Sequence, residues 1–305
     1  MNIEEDKSMD LSLKEIQNLI VNYSITLLVF FFTSLALSYS VSLFISDKYK
    51  SEAILVSQIS DVNSSYNLPT NIGNLAGFDL FSATGNDKSL EAIELMRSLN
   101  FFEKLSKNHN LFFSLMAVDG WDKKNNILRV NDEIYDDVKE QWVSKLSTSK
   151  DGKPSLQTAH REFLERFSAS KQNDTGFVQI SFIHYSPFES ERFVNAIIQE
   201  INETSRQDEI DRGKNSLVFL RNELENSKYI EVKNAINQLI ERQLERIMIA
   251  NSSEYFLFET LSPPYAPEEK DSPNRPLFTL AGVILGITLF FLYLLIVRPK
   301  KINFI

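Results

Sequence analysis

Two long, uncharged apolar runs stand near the ends of the chain, and the sequence between them mixes apolar and polar positions as a water-exposed domain does. The first lies between Glu15 and Asp47, with its apolar centre over 23–46; the second covers 277–297, just short of Arg298. At 1.5 Å per helical residue each covers roughly 30–35 Å, enough to cross the hydrocarbon core of a bilayer. The first run is too long for a signal peptide, whose apolar core is about 7–15 residues. Ser46-Asp47-Lys48-Tyr49 is also a poor cleavage site. Both runs are therefore expected as membrane helices, with short polar tails over 1–22 and 298–305 and the bulk of the chain on one side.

The pattern between them predicts an α+β domain over 47–262. Tyr49 to Ile59 reads as a strand through Ile54-Leu55-Val56, and Asp61 to Asn86 as a loop. Asp87 or Ser89 is placed to cap a helix whose Ala92, Leu95, Met96 and Leu99 keep helical spacing, with Asn100 and Glu103 as a restart. The stretch from Asn110 to Ser149 gives no clear period. Pro154 should open a helix ending near Phe167. Phe167 to Lys171 and Phe177 to His184 then flank Asn173-Asp174-Thr175-Gly176, the clearest hairpin signal in the chain. Ser186-Pro187-Phe188-Glu189 marks a helix start with an N-cap, proline at N1 and Glu at N3.

From there two readings stay open. One is a helical hairpin turning at Asn226-Ser227-Lys228, its second arm carrying Val232, Ile236, Leu239, Ile240, Leu244, Ile247 and Met248 on one face. The other is a single long helix reaching Ala250. Gly213 and the turn-like triplet favour the hairpin.

Five of the nine prolines, Pro263, Pro264, Pro267, Pro273 and Pro276, then fall within 263–276. Proline lacks an N–H donor and fixes φ, so this stretch is expected as a stiff, extended connector to the second membrane helix. In that helix Gly282 and Gly286 form G-x-x-x-G, a spacing that lets membrane helices approach closely, and they are expected to pack against another helix or contact a polymerase partner. Phe30-Phe31-Phe32 in the first reads as lipid-facing bulk.

Charge sets the orientation. Arg298, Lys300 and Lys301 follow the second run, whereas Lys7 and Lys14 balance Lys48 and Lys50 around the first. Cations gather on the cytoplasmic side, so both termini are expected there and the domain in the periplasm or outside the cell. The net charge of −9 falls entirely within 47–275, which suits neither nucleic acid nor anionic lipid. With no cysteine there is no disulfide or thiolate chemistry.

No catalytic constellation is visible. His109, His160 and His184 lie far apart, and G-x-S-x-G and G-x-x-x-x-G-K-[ST] are both missing. Acidic groups such as Asp208-Glu209 with Asp211, or Glu223 with Glu225, read as solvated helix faces. No catalytic, cofactor or metal residue is therefore expected.

A proline-rich segment directly before a second, glycine-bearing membrane helix resembles the Wzz-type chain-length determinants, or polysaccharide co-polymerases. Asp10-Leu11 with Leu13 before the first span, Tyr49 with Ser51-Glu52-Ala53 opening the first strand, and the Ser186-Pro187 helix start fit the same family. The resemblance implies a non-enzymatic bacterial inner-membrane protein, a homo-oligomer that surrounds lipid-linked polysaccharide. It would set how far a Wzy-type polymerase extends the O-antigen of lipopolysaccharide, with no cofactor. It further implies a very long membrane-distal helix, from which 213–250 departs if it folds back. Some relatives carry a kinase after the second span; this chain stops at Ile305. Two rival readings are a two-span sensor or adaptor with a ligand-binding domain, and a capsule-export co-polymerase.

Overall fold

The computed structural model describes residues 23–58, 88–143 and 152–297. The pieces at Asp10-Leu11, the expected loop from Asp61 to Asn86 and the cationic tail fall outside these residues. The chain divides into two compact units, one joining the segments up to Asp47 and from Asp271 onward, the other formed by Lys48–Lys270. The connector foreseen over 263–276 is thus shared between units: Pro263, Pro264 and Pro267 belong to one, Pro273 and Pro276 to the other.

The terminal unit is a pair of helices, α1 (Ser24–Phe44) and the last helix, α8 (Arg275–Val297). Both are long and apolar enough to cross a membrane. Most of their large side chains, such as Ile25, Phe32, Leu37, Ile284 and Leu292, are exposed. In a bilayer that is the expected place for them. α8 starts two residues before the apolar run, and Pro276 stands in its first turn rather than in an extended connector. Proline fits there because the first helical N–H groups have no partner inside the helix anyway.

The intervening unit is α+β. Its centre is β1 (Tyr49–Ser57), whose Tyr49, Ser51, Ala53 and Leu55 are buried while the alternate residues are only half covered. Helices α2 (Lys88–Met96), α3 (Leu99–Asn108) and α4 (Phe112–Ala117) follow. Next come two small hairpins, β2 (Val118–Asp122) with β3 (Ile127–Val130), and β4 (Tyr135–Asp136) with β5 (Gln141–Trp142). These resolve the stretch that has no clear period in the sequence, where the elements are too short to show one. Helix α5 (Leu156–Arg166) leads into β6 (Phe167–Lys171) and β7 (Val178–His184), and then the long α6 (Pro187–Asn226) and α7 (Ile230–Ser252). Strand β8 (Phe258–Ser262), unannounced by the sequence pattern, completes an antiparallel sheet in the order β6-β7-β1-β8.

Helix starts show where local signals were misassigned. Ser98, not Asn100, caps α3, its Oγ accepting from the Phe101 N–H at 3.2 Å. Ser89 lies inside the first turn of α2, which begins at Lys88, and the alternative cap Asp87 falls outside the described residues. Ser155 caps α5, so Pro154 precedes the helix instead of opening it. The β6–β7 hairpin matches its signal: Phe167 faces Phe182, Lys171 faces Val178, and Gly176 takes the positive φ of 73° that the turn requires.

Of the two readings for the long helices, the structure has the hairpin. α6 runs for 40 residues, about 60 Å at 1.5 Å per residue, and α7 turns back after Ser227–Tyr229 to pack on it. Gly213 permits the close approach, since a Cβ there would lie 2.7 Å from Ile247 Cγ1. Only part of the apolar stripe on α7 is used this way. Ile236 is buried, whereas Val232, Leu244 and Met248 are exposed.

The core is formed by the sheet, the N-terminal half of α6 and the inward faces of α2 to α5. A column of rings crosses it, Phe167 to Phe163, Phe163 to Phe182, and Phe182 to Phe193 at 4.1 Å between centroids. β8 is held from the helix side by Asn202, which is 5% exposed. Its Oδ1 accepts from the N–H groups of Leu257 and Phe258, and its Nδ2 donates to the carbonyls of Ile198 and Phe258, each bond within 2.8–3.0 Å. Asn202→Leu would strand three of these β8-side groups, and at about 1–3 kcal/mol for each unsatisfied group a loss of about 3 kcal/mol or more is expected. A lowered melting temperature of the purified protein checks it; an unchanged one would show that water replaces the amide.

Candidate functional site

Three places gather the residues that sequence singled out or missed. The first is the seam between α1 and α8. A Cβ at Gly282 would lie 2.5 Å from Ser38 Cβ and 3.2 Å from the Ser34 carbonyl oxygen; one at Gly286 would meet Ser34 Cβ at 3.0 Å and the Phe30 carbonyl oxygen at 3.1 Å. Ser38 Oγ also donates to the Phe278 carbonyl oxygen at 2.5 Å. The two glycines are thus covered by the chain's own first span. Serine at 34, 38 and 42 repeats every fourth position and answers the glycines with a second small-residue stripe. That repeat was readable in the sequence and went unused. Of the three phenylalanines, Phe32 is exposed, but Phe30 packs against Tyr293 at 5.6 Å between centroids. At the head of α8, Arg275 pairs with Asp47 at 3.2 Å.

The second place is the connector. The Tyr265 carbonyl oxygen accepts from Ser51 Oγ at 2.8 Å, so the chain leaving β8 continues alongside β1. Pro264 is buried and Tyr265 exposed, while Pro263 faces solvent and Pro267 is partly covered.

The third is the face of α6 toward α3 and α4. Ser186 caps α6 by backbone conformation alone, and the expected capping box does not form. Its N–H donates instead to His184 Nδ1 at 3.1 Å, and Glu189 takes the Ser114 hydroxyl at 2.6 Å. His184 Nε2 therefore carries the proton and donates to the Ser114 carbonyl oxygen at 3.0 Å. Ser114, His184 and Glu189 look like a nucleophile with its base, since His184 Nε2 is 3.4 Å from Ser114 Oγ. The relay is blocked twice: the nitrogen near the hydroxyl is already protonated, and both Ser114 and His184 are buried. The trio locks α4 and β7 to the start of α6. Of the other histidines, His160 bonds the Arg97 carbonyl at 2.8 Å and lies against Phe102.

Further along α6, Arg192 donates to the His109 carbonyl at 3.0 Å and pairs with Glu189. Glu200, 4% exposed, accepts from Asn108 Nδ2 at 3.0 Å and from Thr204 at 3.3 Å, with His109 Nε2 at 3.4 Å. Arg206 holds Glu203 and the carbonyls of Ser253 and Glu254. Beside these groups run two adjoining hollows of about 340 and 410 Å³, both lined by His109 and Gln199, the first of mixed polarity and the second mostly apolar. No sequence pattern announced them, because their residues meet only when α3 and the segment after α7 flank α6.

Burial pushes the His184 pKa from 6.5 down to about 4, with the Arg166 charge adding to the fall and Ser114, Glu189 and Ser186 opposing it. The unfolded imidazole takes up a proton near 6.5 and the folded one only near 4, so this contribution is intact above 6.5 and lost as pH falls between them. About 2 kcal/mol is expected to be gone at pH 5. Unfolding at pH 7 and 5 should show that loss in the native protein and little of it in His184→Gln; an equal loss in both would clear His184 as the cause.

No protein-family model and no curated protein matches the chain. Among solved structures it is similar to a full-length bacterial polysaccharide co-polymerase, at 9% identity and a TM-score of 0.39, covering 96% of this chain and 100% of that one. It is also similar to a fragment of WzzB, the polysaccharide co-polymerase from Salmonella Typhimurium, at 12% identity and a TM-score of 0.31, covering 74% of this chain and 100% of that one. Both are polysaccharide co-polymerases, the family that the sequence resembles.

Proposed function

We propose that the protein is a non-enzymatic regulator of polysaccharide chain length in a bacterial inner membrane. It would act as a Wzz-type co-polymerase beside a Wzy-type polymerase that extends lipid-linked O-antigen. The observation that carries this reading is the chain's own plan: an acidic α+β unit strung between two terminal spans, entered through Tyr49 and Ser51-Glu52-Ala53 and left through the proline segment. The Ser114–His184–Glu189 lock supports the non-enzymatic part, because its most triad-like group is sealed and wrongly protonated for nucleophilic attack.

Exposed apolar residues on the helical hairpin, Val218 and Phe219 on α6 with Val232, Leu244 and Met248 on α7, give it surface for a homo-oligomer. With both termini cytoplasmic, the α+β unit would lie in the periplasm, where polymer grows. Reporter fusions near Asn173 are expected to report the periplasm, and fusions after Ile305 the cytoplasm; reversed signals would remove the topology and the function with it.

A regulator without chemistry acts by geometry, and two features here are rigid. Pro267 and Pro273 stiffen the segment before α8, Pro276 fits the first turn of that helix, and the serine–glycine seam holds the spans in register. Replacing Pro267, Pro273 and Pro276 by Ala, or Gly282 and Gly286 by Leu, is expected to leave polysaccharide synthesis intact. The gel banding of the polymer should shift to short, unregulated lengths. Wild-type banding in both variants, or in cells lacking the protein altogether, would sink the reading.

A further inference from the structure

The groove on α6 joins a hollow of mixed polarity to a mostly apolar one, a composition that the structural lock beside it does not explain. Phe188, Arg192, Asn195, Gln199, Glu203 and Arg206 recur at helical spacing along one stripe. From first to last that is about 27 Å of helix at 1.5 Å per residue, long enough for an extended ligand rather than a small molecule. Aromatic side chains stand at both ends. Phe188, 51% exposed, meets Trp121 edge-on at 6.2 Å, and Tyr255, 44% exposed, closes the other end. Between them Asn195 and Gln199 offer amides that donate and accept, over the buried Glu200 carboxylate. Amides between two flanking rings, beside a mostly apolar lining, match a ligand with hydroxyls on its edges and C–H groups on its faces.

The charges narrow the class. Both arginines are engaged within the protein, Arg192 with Glu189 and the His109 carbonyl, Arg206 with Glu203 and two backbone carbonyls. Glu191, Glu200 and Glu254 then leave the groove negative, which repels carboxylated or phosphorylated chains. A peptide would have backbone groups to satisfy, yet no sheet edge borders the groove.

We propose that this groove binds a stretch of uncharged polysaccharide, with Tyr255 and Phe188 stacking on sugar faces and Asn195 and Gln199 reading hydroxyls. The proposal rests on the reading of the protein as a chain-length regulator and gives that reading a point of contact with the polymer.

The test uses the full chain in lipid nanodiscs. The probe is the cell's own polymer, released from its lipid by mild acid, with polygalacturonate as the acidic comparison. Native polymer should bind saturably and polygalacturonate at least about tenfold more weakly, a step of 1.4 kcal/mol. Gln199→Ala with Tyr255→Ala, two rim changes outside the core, should weaken the native polymer about tenfold at an unchanged melting temperature. Gln199→Glu should do the same by charge. Equal binding by the double variant, no binding of native polymer, or preference for polygalacturonate would each overturn the proposal. So would a photocrosslinker at position 199 that captures a second protein instead of glycan. If the double variant restores normal banding to cells lacking the protein, the groove fails and chain-length control stands. If those cells band normally without it, the functional reading itself fails.

Discussion

The pairing of β1 with β8 is the constraint on which the intervening unit depends. Leu55, Val56 and Ser57 face Thr260, Glu259 and Phe258, so the strand that follows the first span pairs with the strand that leads into the proline segment. Everything from Gln58 to Leu257 is one excursion closed by that contact. The entropy of closing so long a loop grows only with the logarithm of its length, so a few well-buried groups can hold it. Leu55 and Phe258 are fully buried, and Asn202 reaches from α6 to satisfy the backbone on the β8 side. The Ser51–Tyr265 bond extends the same pairing past the end of the ladder. Entry and exit of the unit therefore lie side by side.

The terminal unit reaches a similar arrangement by different physics. Lipid offers no hydrophobic drive between helices, so close packing and hydrogen bonds must supply it. Serines on one span and glycines on the other give that packing, and the Ser38–Phe278 bond adds a polar tie. Because these small residues are occupied within the chain, contacts to another protein in the membrane would fall to the outward-facing large side chains. The two units are joined by two covalent links, at 47–48 and 270–271, and prolines stiffen the second of them.

Much of this was legible in the sequence wherever a signal was long or conformationally obligatory. The spans, the β6–β7 hairpin with its glycine turn and the Ser186-Pro187 start all have such signals, whereas the fold-back of α7 was favoured by Gly213 and a turn-like triplet but left open against a single long helix. What escaped had local competitors. Ser98 and Ser155 hold the caps instead, each extended in backbone with its hydroxyl accepting from the N–H three residues on. The Ser186 box failed because His184, two residues back, already takes the N–H it needed. β8 is five residues long and reads as strand only when β1 is beside it. The groove was invisible for a stronger reason: its residues come from α3, α6 and the segment after α7, and no single window contains them.

The polar side chains along α6 then fall into two kinds with different consequences. His184, Ser114 and Asn202 are buried and Glu189 partly so, and their polar groups are satisfied within the fold; such networks fix a single arrangement because any alternative leaves a group unpaired. Arg192 and Arg206 hold neighbouring backbone in the same way from the groove's rim. Glu200 sits between the two kinds. Its carboxylate accepts from Asn108 and Thr204 and lies 3.4 Å from His109 Nε2. A helix made rigid by the first kind presents the second kind at fixed spacing. Fixed spacing is what recognition of a repeating polymer requires, since each repeat must meet the same geometry to be held. α6 carries both kinds on one continuous helix of 40 residues, so the spacing of the groove side chains is set by the same element that the buried groups hold in place.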